Sequence, residues 1–218
     1  MCNLYRMTKP PSEVAAWFGA VEGAGGANFA AEVYPGYTGL VVADGAVRPM
    51  TWGFPLVLKG AKGQPLKPRP VNNAREDKLT TGFWRHAFQH RRCLIPLEAW
   101  AEAEGPKGRM TRTWLSPGGL SLPDAPLFAV AGVWRPSDEW GDCYAMVMTA
   151  SAGSDAAAVH ERMPVLLAPA DQSRWLTTPP AEAHALCRAW TGPLAIARTA
   201  EPWSQRKPAA PPAGPVLL

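Results

Sequence analysis

The second residue offers the most unusual chemistry. In MCNLYRMTKP a cysteine directly follows Met1. If Met1 is removed, Cys2 carries a free α-amine and a thiol on adjacent carbons. No other residue type gives a chain start that pair of nucleophiles. One use is that of N-terminal-nucleophile amidohydrolases such as glutamine amidotransferases, where the α-amine serves as base for the thiol. Further candidates lie in three separate runs. These are Asn73 in VNNARED (71–77), Glu98 and Glu102 in CLIPLEAWAEAEG (93–105), and His160 in VHERMPVLL (159–167). Cys2, Glu102 and His160 together would also suit a cysteine peptidase that cuts its own Met1–Cys2 bond or other peptides. Each residue alone has a plainer reading, as a chance cysteine, a turn-capping Asn, a surface carboxylate and a helix-end imidazole.

These residues must be held by elements whose patterns can be read. PPSEVAAWFGAV predicts a short helix capped by Ser12, with Val14, Trp17, Phe18 and Val21 on one face. GLVVADGAVRPMTWGF predicts a hairpin around Asp44-Gly45. GAKGQPLKPRP is a Gly/Pro/Lys loop, and TTGFWRHAFQHRR a helix burying Phe83, Trp84, Ala87 and Phe88. CLIPL, TRTWLS, LFAVAGVW and CYAMVMTAS read as strands, SDAAAVHER as a helix capped by Ser154, MPVLLA as a strand and PAEAHALCRAW as a helix. Strands outnumber helices and hairpin-length turns join them. The expectation is an α+β single domain: an antiparallel sheet or open barrel-like core with helices outside, spanning 1–202. Residues 203–218 read as a Pro/Ala-rich flexible tail.

Composition narrows the classes. A chain of 218 residues that is 47% hydrophobic, with ten Trp, can bury a sizeable core and is not disordered overall. The cysteines at 2, 93, 143 and 187 form no Cys-x-x-Cys pair and no Cys/His cluster, so no metal or other cofactor is expected. Cys93 and Cys143 lie in apolar runs and read as buried free thiols. No signal peptide or 18-residue apolar run is visible, which points to a cytoplasmic protein with no membrane contact and, lacking an oligomerisation helix, a monomer. The net charge of +4 is unevenly spread: residues 59–92 hold nine Lys/Arg against Glu76 and Asp77. Such a block suits an anionic partner, nucleic acid first.

Taken in order, the runs carry a resemblance. Cys2, then Asn73-Ala74-Arg75, then the Cys-Leu-Ile-Pro strand followed by an acidic residue, then HERMPVLL, together resemble the SRAP family of SOS-response-associated peptidases, or abasic-site-processing proteins. Trp52-Gly53-Phe54 is similar to the Trp-Gly strand that precedes Asn-Ala-Arg in that family. The resemblance implies a sensor of abasic sites in single-stranded DNA, nucleoid-associated when bound, which links covalently to the open-chain sugar through the mature N-terminal Cys. It assigns Cys2 as nucleophile, Asn73 to its positioning, and Glu102 and His160 as active-site acid–base groups, with Glu98 the alternative to Glu102. It places Arg75 and Arg162 on phosphates and Thr149 near the DNA backbone. Asn3-Leu4-Tyr5 stands where Gly-Arg-Phe is frequent, which leaves Arg6 as the nearest arginine for a DNA contact at the chain start.

The residues make chemical sense of that implication. Neutral amine attacks an aldehyde. With pKa values near 7.7–8.0 and 10.4, an α-amine is neutral at pH 7 roughly 300-fold more often than a lysine. The resulting imine lies within reach of the same residue's thiol, and closure gives a five-membered thiazolidine at high effective molarity. An internal Cys cannot do this, because its nitrogen is an amide. Sugar opening and imine dehydration need proton transfer, which suits a carboxyl and an imidazole tuned toward neutrality. A single-strand-binding module in which Cys2 is incidental is the non-enzymatic rival.

Overall fold

Several apolar runs are buried along their whole length, which requires cover on both faces of a sheet. In 128–137 and 141–150 nearly every residue from Ala129 to Trp134 and from Cys143 to Thr149 is buried. The structure, a computed structural model, describes residues 2–118 and 126–203. Its strands are β1 (Tyr5–Arg6), β2 (Val21–Glu22), β3 (Glu32–Val33), β4 (Thr38–Ala43), β5 (Ala46–Trp52), β6 (Phe54–Leu56), β7 (Arg69–Val71), β8 (Asn73–Arg75), β9 (Arg92–Leu97), β10 (Ala99–Glu104), β11 (Thr111–Ser116), β12 (Phe128–Ser137), β13 (Gly141–Ala150), β14 (Arg162–Pro164), β15 (Leu166–Leu167) and β16 (Ala195–Pro202). Helices α1 (Pro11–Phe18), α2 (Gly82–His90), α3 (Pro169–Thr177) and α4 (Pro180–His184) lie among them.

Five strands make a closed ring. The order β13-β12-β9-β4-β5 is antiparallel throughout, and β13 returns to β5 in a parallel pairing, Cys143 with Thr51 and Tyr144 with Trp52. The expected α+β class with a β core holds, and the barrel expected to be open is closed. The β4–β5 hairpin turns at Asp44 (φ 52°) and Gly45 (φ 76°), the two positive-φ positions that its two-residue loop demands. A five-stranded sheet, β16-β11-β10-β1-β3, stands beside the ring.

Strand β1 joins the two bodies. Tyr5 pairs with Trp100 in the ladder, while its ring meets Trp52 of the barrel edge-on at 5.0 Å. Its hydroxyl hydrogen-bonds that of Tyr144, and both tyrosines are fully buried. A Cβ on Gly39 would overlap both hydroxyls, so the absence of a side chain there makes room for the pair. Cys2 lies three residues before this anchor and is held at the seam between the two bodies.

Several elements differ from the expected ones. Helix α1 starts at Pro11 with Pro10 before it and has no side-chain cap, so Ser12 is inside the first turn rather than at the cap. It buries Val14 and Ala15, while Trp17 is exposed; Gly19 in the left-handed region stops it, and Val21 falls in β2. Phe83, expected to be buried with its helix, is exposed, its ring edge-on to Trp84 at 4.7 Å, and only Trp84, Ala87 and Phe88 are buried. SDAAAVHER forms only a 3-10 turn, Asp155–Ala158, which Ser154 does cap. MPVLLA is split between β14 and β15, and the last expected helix runs only over Pro180–His184. Patterning gives no element at 99–104 or 169–177. The first is rich in Ala and Glu, weak strand formers, and is held by ladders to β1 and β11. The second buries only Trp175, too little to make a stripe. Of the expected tail, 204–218 lies outside the described residues.

Candidate active site

The chain start is fixed by hydrogen bonds to its own backbone. Asn73 Nδ2 donates to the carbonyl of Cys2 at 2.8 Å, and Asn72 Nδ2 donates to the same oxygen at 3.0 Å. Asn72 also donates to Asn3 Oδ1 at 3.1 Å. The Asn pair is itself placed by the barrel: β8 runs parallel to β13, with Asn73 level with Met146, and the Asn72 carbonyl accepts from Met146 N (2.9 Å) and Trp52 Nε1 (3.2 Å). Asn73 Oδ1 has no hydrogen-bond partner among the described residues, although it is buried. Sequence reasoning selected Asn73 and missed Asn72; the Asn-Asn doublet was the available signal.

Glu102 arrives from the other body. The β1–β10 ladder pairs Arg6 with Ala99 and Tyr5 with Trp100, and Ala101 N donates to Leu4 O at 2.9 Å. The next step along β10 brings Glu102 to the level of Asn3 and Cys2. Both Cys2 and Glu102 are buried. Burial pushes the Cys2 thiol well above its usual range, and the charge of Glu102 adds to that effect. Burial also pushes Glu102 up to about 7. The alternative, Glu98, is equally buried but is committed elsewhere: it accepts from Thr8 N at 3.0 Å and Thr8 Oγ1 at 2.7 Å.

His160 follows the 3-10 turn, in a loop tied to the end of β13. Ser151 Oγ donates to the His160 carbonyl at 2.6 Å, and Ser151 N donates to Glu161 O at 3.0 Å. Ser151 is buried and was not singled out from sequence. His160 Nδ1 lies 3.0 Å from Arg162 N and 3.2 Å from Arg162 O, so the Arg162 backbone holds that side of the ring. Burial holds His160 below its ordinary value.

The residues expected on DNA flank the same strand. Arg75 ends β8 opposite Met148, Thr149 pairs with Met163, and Arg162 opens β14 opposite Ala150. Arg75 and Arg162 line an open depression of about 360 Å³ with Glu76, Asp77, Ala150 and Glu161. Thr149 is buried and does not line it. Arg6 is engaged elsewhere: its guanidinium pairs with Glu32 at 3.2 Å and lies over the Trp114 ring at 4.0 Å. The basic block divides. Arg91 lies against the Trp134 ring and Arg92 donates to the carbonyls of Trp175 and Thr178, whereas Lys59, Lys62 and Lys67 are exposed between β6 and β7 and Arg69 is exposed at the start of β7. Cys93 and Cys143 are buried free thiols, as expected. The described residues contain no group of three or more His, Cys, Asp or Glu side chains able to hold a metal ion, and no helix among them is long and apolar enough to cross a membrane.

A closed five-stranded barrel thus holds the carbonyl of Cys2 through Asn72 and Asn73, with the buried Glu102 beside that residue. Residues 1–200 match the family described as SOS response associated peptidase (SRAP), and the chain belongs to that family. By that description the family is tied to the SOS response to DNA damage. Solved structures share the fold. A protein from Bordetella bronchiseptica is 21% identical over 91% of this chain and 99% of its own, with a TM-score of 0.71. One from Bacteroides thetaiotaomicron is 17% identical over 90% and 91%, with a TM-score of 0.72. A phage-related protein from Bordetella bronchiseptica is 19% identical over 99% and 100%, with a TM-score of 0.63. No curated protein matches the chain.

Proposed function

We propose that the protein captures abasic sites in single-stranded DNA as a thiazolidine on Cys2. What supports this reading is a buried Cys2 whose carbonyl is clamped by Asn72 and Asn73, with the buried Glu102 carboxyl close enough to raise its thiol. Met1 leaves first, by hydrolysis of its bond to Cys2. Because Cys2 is fully buried, removal by the chain's own thiol and carboxyl fits better than entry of residue 2 into another peptidase.

His160 moves the proton that opens the sugar ring to its aldehyde. The neutral amine of Cys2 attacks the aldehyde carbon, and the carbinolamine loses its hydroxyl as water. Glu102, poised near neutrality, gives the proton for that departure and takes one back from nitrogen. The thiol then adds to the imine carbon: the C–S bond forms, and the thiol proton ends on the ring nitrogen. This route needs no thiolate beforehand, consistent with a thiol that burial holds protonated. Asn73 orients residue 2 without adding charge. Arg75, Arg162 and the basic hairpin between β6 and β7 supply the phosphate contacts, while Thr149, beneath Met163, shapes the strand that carries them.

The test is a denaturing gel with mass spectrometry on abasic single-stranded DNA. A heat-stable adduct on residue 2 is expected, absent in Cys2→Ala and in a chain extended before Cys2. An adduct that survives the extension overturns the aminothiol mechanism.

A further inference from the structure

Both arginines assigned to phosphate are already paired with carboxylates. Arg75 Nε donates to Asp77 Oδ1 and one of its terminal amines to Asp77 Oδ2, both at 2.8 Å. Arg162 holds Glu161 at 3.3 Å. Strand β8 ends at Arg75, and the 3-10 turn 76–78 folds Asp77 back across the guanidinium it has just passed. A two-point fork is the geometry a phosphate would use on the same guanidinium edge. Two arginines therefore face Glu76, Asp77 and Glu161 around one depression, so its lining is not net basic.

We propose that Asp77 is an internal competitor for DNA phosphate at Arg75, and that it lowers the affinity for undamaged single strands. The inference rests on the DNA reading above. Asp77 and Arg75 are both exposed, and an ion pair in water is weak enough to open when a phosphate arrives. Arg75 and the nearby Lys78 keep the Asp77 carboxyl below its usual range, so the competitor stays charged wherever DNA is bound. Retention then depends on the covalent bond at residue 2 rather than on charge, which favours damaged strands over the excess of intact ones. The rival account, that Asp77 orients Arg75 toward DNA, predicts the opposite sign on removal.

The experiment is fluorescence anisotropy of an undamaged single-stranded oligonucleotide with the full chain and its Asp77→Asn, Glu76→Gln, Arg75→Ala and Asp77→Asn/Arg75→Ala forms. Asp77→Asn should bind about two- to fivefold tighter, the range expected for an exposed pair. Glu76→Gln removes the same charge without touching the fork, so its effect should be clearly smaller. The gain from Asp77→Asn should vanish when Arg75 is absent. Equal or weaker binding by Asp77→Asn, or an equal gain from Glu76→Gln, overturns the proposal. If Arg75→Ala binds as the parent does, the DNA reading fails at that arginine, whatever Asp77 does.

Discussion

The two ends of the β10 segment carry buried carboxylates with opposite uses. Glu98, just before the strand, is 1% exposed, and Glu102 within it is 2% exposed. Burial therefore does not separate them; their neighbours do. Glu98 receives the backbone N–H and the hydroxyl of Thr8, and it ties the start of the chain to the sheet. Glu102 lies close enough to Cys2 for its charge to raise the thiol, and burial holds its own carboxyl near neutrality. A buried carboxylate given good donors becomes a structural bond, whereas one that burial lifts toward neutrality can store and release a proton.

The comparison can be broken most directly by rate. Glu102→Gln should slow cross-linking by about 100-fold or more, the usual contribution of a positioned acid–base group, measured as adduct formed against time at saturating DNA. Glu98→Gln should leave that rate within a few-fold; if it slows the reaction as much as Glu102→Gln, the two ends have been misassigned.

The next effect is on stability against pH. The folded chain holds the Glu102 proton up to about pH 7, whereas an ordinary glutamic acid releases it near 4.5. Between those values the folded state binds more protons, so rising pH disfavours folding until about pH 7, and the slope then ends. The parent should lose roughly 3 kcal/mol relative to Glu102→Gln between pH 4 and pH 8, read from denaturant midpoints at each pH. Parallel curves for the two proteins would mean that Glu102 is not raised.

A smaller effect belongs to the structural end. Glu98→Gln should cost about 1–3 kcal/mol, because one Thr8 donor meets an amide instead of an acceptor. Thr8→Val, which keeps the backbone donor and removes only the hydroxyl, should cost about 1 kcal/mol. Smallest in energy is a salt effect: Arg75→Ala should lower the slope of log affinity against log salt by about 0.7 for single-stranded DNA.

Much of the site could be read from single letters, and the limits of that reading were physical. Cys2 was legible because its position, not its surroundings, creates the aminothiol. Asn73, Arg75 and His160 stood in short runs whose order survives any fold. The choice between Glu98 and Glu102 was not legible, since both sit in one Ala/Glu-rich stretch, and only the β1–β10 register decides which reaches Cys2. Asn72 and Ser151 were missed because neither has reactive chemistry; each acts through a backbone oxygen that only the folded chain brings near. Arg6 was offered to DNA for want of a view of Trp114 and Glu32.

The sequence by itself determined that this is a β-rich chain with a cysteine at position 2, a hairpin at Asp44-Gly45 and a basic stretch near Asn73, because local dihedral preferences and residue chemistry need no partners. The tertiary structure decided that the barrel closes through a parallel β13–β5 pairing, which carboxylate meets Cys2, and which arginines are already taken. Those outcomes depend on register and on contacts between residues far apart in the chain, where shifting a strand by one residue would send Glu102 to the opposite face of its sheet.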